Sequence, residues 1–339
     1  MKTMQALGNI SDPAPSSASE PVGSVLTPSA VPVPSPVVQP TNPAERPLGM
    51  LILGLDNRKQ TGSMNTDVMM AAVLEPDGKT VTVVSIPRDS DLNVPGFAKQ
   101  KANSFYARYY TEAVKEFGWK SDEARRYASN KMESLLSDFF GIPFTYTAVL
   151  DFQGFIDVVD ELGGISVYVD QDMRWWDTAD GTDIDLKKGQ QVLDGEDALG
   201  FVRYRHSKNG ETRESSDFER NDRQDRVLRA LIDKLKSFQS LTKLGGLLDA
   251  VGDNVRTDIP QDVLTDLIKH YFGVDRDHVR FIALTGEWIS PVVVLDSAKL
   301  EEARTALREA MQTESDREEG LMLQHEPAGP LPSDGSERS

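Results

Sequence analysis

Two apolar runs, Val68 to Leu74 and Thr80 to Ile86, flank a gap that holds Pro76-Asp77-Gly78. Proline presets one turn dihedral and glycine accepts the positive φ of a reversal, so the spacing predicts an antiparallel hairpin. Asp67 opens one arm and Arg88 follows the other, each about ten residues from the turn, so pairing brings both to one sheet edge. Leu48 to Leu55 reads as a third buried strand. Running parallel to the second arm, it would deliver Asp56 and Arg58 to the same edge. Two carboxylates beside two guanidinium groups suit a hard divalent cation shared with a phosphate. They suit equally a set of surface ion pairs, since charged residues are common at strand ends.

Downstream, Ser121 is placed to cap a helix whose apolar positions, from Ala124 to Phe139, follow 3.6-residue spacing until Gly141 and Pro143 end it. Phe144 to Leu150 alternates as a strand, Asp151 caps a helix through Leu162, Gly163-Gly164 stops it, and Ile165 to Val169 is another strand. That succession reads as an α/β unit. Further strands are expected at Phe201 to Arg205, His278 to Leu284 and Val292 to Leu295. Helices are expected at about Ser216 to Phe238, at Gln261 to Phe272 and from Ala298. The expected fold is a single α/β domain, a mixed central β-sheet with helices on both faces.

That unit spans about 48–311. Ten of the 19 prolines fall in the first 50 residues, among Ser, Ala and Val, so 1–47 reads as a flexible spacer. From Gln312 onward seven acidic residues face two basic ones, so 312–339 reads as a solvated acidic tail. The net charge of −17 repels phosphate polymers and argues against a nucleic-acid partner. The absence of cysteine excludes disulfides, thiolate catalysis and Cys-based metal sites. The apolar stretches, Met50 to Leu55 among them, are far short of the ~20 residues that cross a bilayer.

Against that acidic background, eight basic residues between Phe201 and Arg229 face six acidic ones. On the expected strand, Arg203 and Arg205 share one face, and both would be costly to cover without an anionic partner. Arg220, Arg223 and Gln224 lie within one turn of the following helix, on a side that continues into Val227 and Leu231. Arginine grips phosphate oxygens with a planar fork of donors that stays charged, as a diphosphate site requires. Arg226 and Arg229 read instead as ion-paired with Asp222 and Asp225. His206 reads as structural or solvated, and Ser85 lacks a paired His and Asp. Trp175 and Trp176 fall in a polar loop, either as a carbohydrate or lipid contact or as an anchor on the core.

Taken together the motifs resemble the LytR-CpsA-Psr family of bacterial cell-wall proteins. Leu53-Gly54-Leu55-Asp56-Asn57-Arg58 and Thr66-Asp67-Val68-Met69-Met70 are similar to its two aspartate motifs, and Ser85-Ile86-Pro87-Arg88-Asp89 to its most recognisable pentapeptide. Lys101-Ala102-Asn103, Leu193 to Leu199, Val202-Arg203-Tyr204-Arg205-His206, Asp217-Phe218-Glu219-Arg220 and Asp222-Arg223-Gln224 follow in the family's order. Asn65 stands where the family often has an arginine, and Lys208 to Ser216 lengthens a loop.

The resemblance implies an extracytoplasmic, membrane-anchored phosphotransferase, its anchor outside this sequence, that moves a glycopolymer from a polyprenyl diphosphate carrier to peptidoglycan. It would meet the membrane surface through its lipid substrate. By the same resemblance Asp56 and Asp67 would hold Mg²⁺, with Mn²⁺ as a substitute, while Arg58, Arg88, Arg203, Arg205, Arg220, Arg223 and Gln224 would cradle the diphosphate. Arg88, Arg203 and Arg205 would serve catalysis directly. Phe139, Phe152, Val159 and Leu231 are candidate linings for the lipid channel, although such residues more commonly pack a core. The rival expectations are a non-catalytic lipid-diphosphate or wall-polymer binder and a polyprenyl diphosphate pyrophosphatase.

Overall fold

A computed structural model of the chain describes residues 45–56, 64–178, 181–207, 209–237 and 255–313. Residues 1–44 of the expected spacer, Arg58, Lys208 and nearly all of the acidic tail lie outside them.

The hairpin forms as expected. Strand β2 (Asn65–Glu75) pairs antiparallel with β3 (Thr80–Ser85) across a turn in which Gly78 takes φ 74°. Strand β1 (Leu48–Asp56) pairs antiparallel with β2, so it runs in the direction of β3 and carries Asp56 to the expected edge. Strand β4 (Tyr146–Asp151) pairs parallel with β1. Two outer strands, β9 (Val255–Thr257) and β10 (Val279–Ala283), complete a mixed six-stranded sheet in the order β10-β3-β2-β1-β4-β9.

The sheet is buried on both faces, which is why its strands read as continuous apolar runs. Alternation then divides β1 between two cores. Leu51, Leu53 and Leu55 pack with helices α1 (Phe105–Glu116) and α2 (Ser121–Phe140), together with a C-terminal helix, Ser297–Ala310. Met50 and Ile52 face the opposite way, toward Leu228 and Ile232 of a long helix, Asp217–Ser237. A further helix, Gln261–Tyr271, covers that second face near Leu48 and Tyr146.

Between the layers, helix α3 (Phe152–Glu161) is capped by Asp151, which accepts from the Gly154 N–H, and Gly163 and Gly164 follow it at φ 74° and 79°. Strand β5 (Ile165–Val169) then departs from expectation. It leaves the sheet and pairs with β8 (Gly189–Leu193), so the β4-α3-β5 run is not a parallel crossover unit. Strands β6 (Met173–Asp177) and β7 (Thr182–Leu186) form a second hairpin, which puts Trp175 and Trp176 on a strand rather than in a loop. Helix α4 (Gly195–Arg203) follows, then α5 (Asp217–Ser237) and α6 (Gln261–Tyr271). Strands β11 (Gly286–Ile289) and β12 (Val292–Leu295) pair with each other beside the sheet, and α7 (Ser297–Ala310) closes the fold.

Three local expectations are corrected. Phe201 to Arg203 is helical rather than extended, because Asp194 caps α4 by accepting from the Asp197 N–H and the helix runs on to Arg203. Ser121 is the first residue of α2, whose N-terminus is closed when Glu123 accepts from the Lys120 N–H. Helix α1 carries its aromatic residues inward, a pattern not read as a helix from the sequence.

Candidate functional site

The edge where β1, β2 and β3 end is built around an irregularity. Gly54 pairs with Val68 but Leu55 pairs with Thr66, so Asp67 is an extra residue in β2 with no partner across the ladder. Such a bulge re-aims a side chain that alternation would send elsewhere. Met69 packs into the α1 and α2 core, and unbroken alternation would turn Asp67 the same way. With the bulge, Asp67 joins Val68 in lining a cavity on the α5 side. Gly54 permits this close approach: a Cβ there would lie 2.9 Å from the Val68 Cβ.

Arg88 meets Asp67 as the hairpin geometry predicts, its Nη1 donating to Oδ1 at 2.6 Å. Behind it, the buried Asp89 carboxylate receives Lys101 Nζ at 3.1 Å, and the Arg88 carbonyl accepts from the Asn103 N–H at 2.9 Å. The Thr66 hydroxyl donates to the Asn103 carbonyl. Lys101 and Asn103 therefore hold the Arg88 loop against the sheet. Asp56 ends β1 beside this group and is buried, at 7% exposure.

The cavity has a volume of about 160 Å³. Ile52, Met70, Phe155, Val202, Leu228 and Leu231 supply its apolar wall, and Asp67, Arg203, Arg220 and Gln224 its polar end. Arg203 stacks on the Phe152 ring, 4.6 Å from guanidinium carbon to ring centroid. Gln224 approaches the buried Ser85 hydroxyl, whose Oγ lies 3.5 Å from Oε1. Of the channel linings anticipated, Phe152 and Leu231 face the cavity, whereas Phe139 packs in the α1 and α2 core and Val159 in a separate core with β5, β7 and α4. Asp151, read only as a helix cap, also lines the cavity.

The arginines separate by surroundings. Arg203 and Arg220 line the cavity, with Arg88 bonded to its Asp67 wall. Arg205, beyond the end of α4, lines an adjoining cavity that shares Arg203. Arg223 does not line the cavity. It is fully buried, with Nε and Nη2 donating to the two Asp170 oxygens at 2.9 and 2.8 Å and Nη1 to the Tyr204 carbonyl. Burial alone would raise the Asp170 carboxyl, but hydrogen bonding and charge from Arg223 hold it below its ordinary value. Arg226 also turns to Asp170, while Arg229 pairs with Asp225 as expected. The one-turn spacing that grouped Arg223 with Arg220 and Gln224 could not show the Asp170 partner 53 residues upstream.

Two carboxylates on neighbouring strands are hard oxygen donors of the kind Mg²⁺ takes, one or two at a time, with phosphate oxygens and water completing its shell. No group of three or more acidic or His side chains that could hold a metal occurs among the described residues. A cation at this edge would take two protein carboxylates, Asp56 and Asp67, and the rest of its shell from outside the protein.

The α/β sheet edge thus joins arginines and carboxylates to a cavity with an apolar wall. The LytR_cpsA_psr family model matches residues 27–317, and the chain belongs to that family. It is 29% identical over 288 residues to the polyisoprenyl-teichoic acid–peptidoglycan teichoic acid transferase TagV of Bacillus subtilis, covering 81% of this chain and 68% of that protein. It is 32% identical over 226 residues to TagU of Bacillus anthracis, a transferase of the same description, covering 66% of this chain and 65% of that one. The crystal structure of B. subtilis TagV superposes with a TM-score of 0.61 at 28% identity, covering 79% of this chain and 98% of that one. A structure of TagT bound to LI-WTA superposes at 0.55 with 26% identity, covering 81% and 94%.

Proposed function

We propose that the protein transfers a glycopolymer from a polyprenyl diphosphate carrier to peptidoglycan. The observation that carries this reading is the continuity of one cavity, apolar along α5 and cationic where α5 and α4 meet the sheet edge. The isoprenoid takes the apolar wall and the diphosphate takes Arg203, Arg220 and Gln224, with Arg88 and Arg205 flanking. The names of TagV and TagU, and the ligand in the TagT structure, support the same substrate class.

In the reaction an acceptor hydroxyl of the peptidoglycan attacks the phosphorus that bears the glycan. A new oxygen–phosphorus bond forms, the bond to the bridging oxygen breaks, polyprenyl phosphate leaves and the hydroxyl proton is released. The guanidinium groups neutralise the diphosphate in the ground state and the charge that grows on the leaving phosphate, and being fixed in place they need no reorganisation. Arg88 is held by Asp67 and Arg203 by Phe152, so both are preorganised. Mg²⁺, or Mn²⁺ in its place, held by Asp56 and Asp67, would supply further neutralisation of phosphate oxygens. With a peptidoglycan acceptor the protein would act outside the cytoplasm, in the cell envelope.

Product formation from a polyprenyl diphosphate-linked glycan and a peptidoglycan acceptor tests this, with and without Mg²⁺, in wild type and in D56A/D67A. Metal-dependent transfer that disappears in the double variant is expected. Tight lipid binding without transfer in wild type would favour the non-catalytic binder, and release of free polymer regardless of acceptor would favour the pyrophosphatase.

A further inference from the structure

Arg203 lines two cavities, and their chemistry differs. The second, also about 160 Å³, is framed by Trp175, Thr182 and Ile184 of the β6-β7 hairpin and by Arg203, Arg205 and His206. In place of leucine, valine and phenylalanine it offers an indole, an imidazole, a hydroxyl and a second guanidinium.

Its frame is rigid. Trp175 is half-buried, packs against the core built by β5, β7 and α4, and pairs across the hairpin with Ile184. Arg174 donates to Asp183 at 2.6 Å and to the Ile184 carbonyl, tying the two strands together. The His206 ring lies 6.4 Å from the Trp175 ring, centroid to centroid, with Nδ1 3.4 Å from the Glu214 carboxylate. Buried Tyr204 anchors the segment between the two arginines, its hydroxyl bonded to Thr212 and to the Arg213 carbonyl.

We propose that this cavity is the subsite for the carrier-proximal sugar of the donor, an inference that rests on the transferase reading. With the diphosphate at the guanidinium common to both cavities, the isoprenoid runs along α5 and the glycan-bearing phosphate lies toward Arg205. The first sugar then arrives at Trp175. A sugar ring presents an apolar C–H face and a rim of hydroxyls. The indole takes the face, and Thr182, His206 and Arg205 supply hydrogen-bonding groups for the rim.

The experiment measures binding of two probes to the full chain: a polyprenyl diphosphate without sugar, and the same lipid diphosphate bearing one N-acetylhexosamine. W175A is expected to weaken the sugar-bearing probe about tenfold while leaving the sugar-free probe within about twofold, and W175F to restore most of the loss. Equal losses on both probes, or no loss on either, would overturn the subsite. A raised KM for the peptidoglycan acceptor with donor binding unchanged would assign the cavity to the acceptor and also overturn it. W175F guards against misfolding, since it keeps an aromatic ring in the hairpin. Wild type that binds neither probe would instead overturn the transferase reading, a result distinct from any effect of Trp175.

Discussion

Arg203 and Arg223 lie 20 positions apart and look alike in the sequence, yet their surroundings give them opposite tasks. Arg203 lines the cavities, so R203A should lose a charge-assisted, bidentate contact of about 1.5–3 kcal/mol, roughly 10- to 150-fold in prenyl diphosphate affinity, with little change in stability. Arg223 is sealed against Asp170, and R223A leaves a carboxylate half-buried without its main partner. A loss of about 3–5 kcal/mol in denaturant unfolding is expected. The pH dependence follows from the lowered Asp170 carboxyl. Its stabilisation is fully present above the ordinary carboxylate pKa and is lost as pH falls through the lower folded value, so R223A should flatten the acid side of the stability profile. Equal stability of R223A and wild type would place Arg223 back among the ligand groups.

At the scale of elements, the hairpin was legible because a turn signal and two apolar runs fix register, and register fixed the meeting of Asp67 with Arg88. The bulge was not legible, since no residue type announces that Asp67 is the extra residue of its strand. The helical path to Arg203 was missed because Phe201 to Arg205 alternates like a strand, although Asp194 with Asp197 three positions on is a helix-start signal. Strand β5 could not be assigned to its small sheet from pattern alone, because partner choice there depends on β8, 24 residues away. The bulge carries its own prediction. G54A drives a Cβ to 2.9 Å from Val68, so transfer should fall well beyond the accompanying loss of stability as Asp67 is displaced. Stability and transfer falling in proportion would show that the bulge is only structural.

Across the whole molecule, a half-buried carboxyl ties a helix layer to one edge of the sheet. Glu133 on α2 accepts from the Thr147 hydroxyl of β4 at 2.6 Å, and Asp258, just beyond β9, accepts from the Thr147 N–H. Burial first, and then the Asp258 carboxyl, push the Glu133 carboxyl far above its ordinary value. The folded protein therefore keeps a proton that the unfolded chain releases, and this group subtracts stability progressively as pH rises above about 4.5. E133Q keeps the shape and hydrogen bonds of the protonated acid. It should unfold at higher denaturant than wild type at pH 8 and show a flatter profile between pH 5 and 8. Parallel profiles would mean that Glu133 is ionised in the fold.

The same layered arrangement leaves the amphipathic cavity between sheet and α5, and its use by a lipid diphosphate is the central claim. The most direct measurement is a crystal structure of the protein with a short-chain prenyl diphosphate. The account predicts the prenyl chain along Leu228 and Leu231, and the two phosphates against Arg203 and Arg220 beside Asp67. A prenyl chain elsewhere, or phosphates bound away from these arginines, would contradict it.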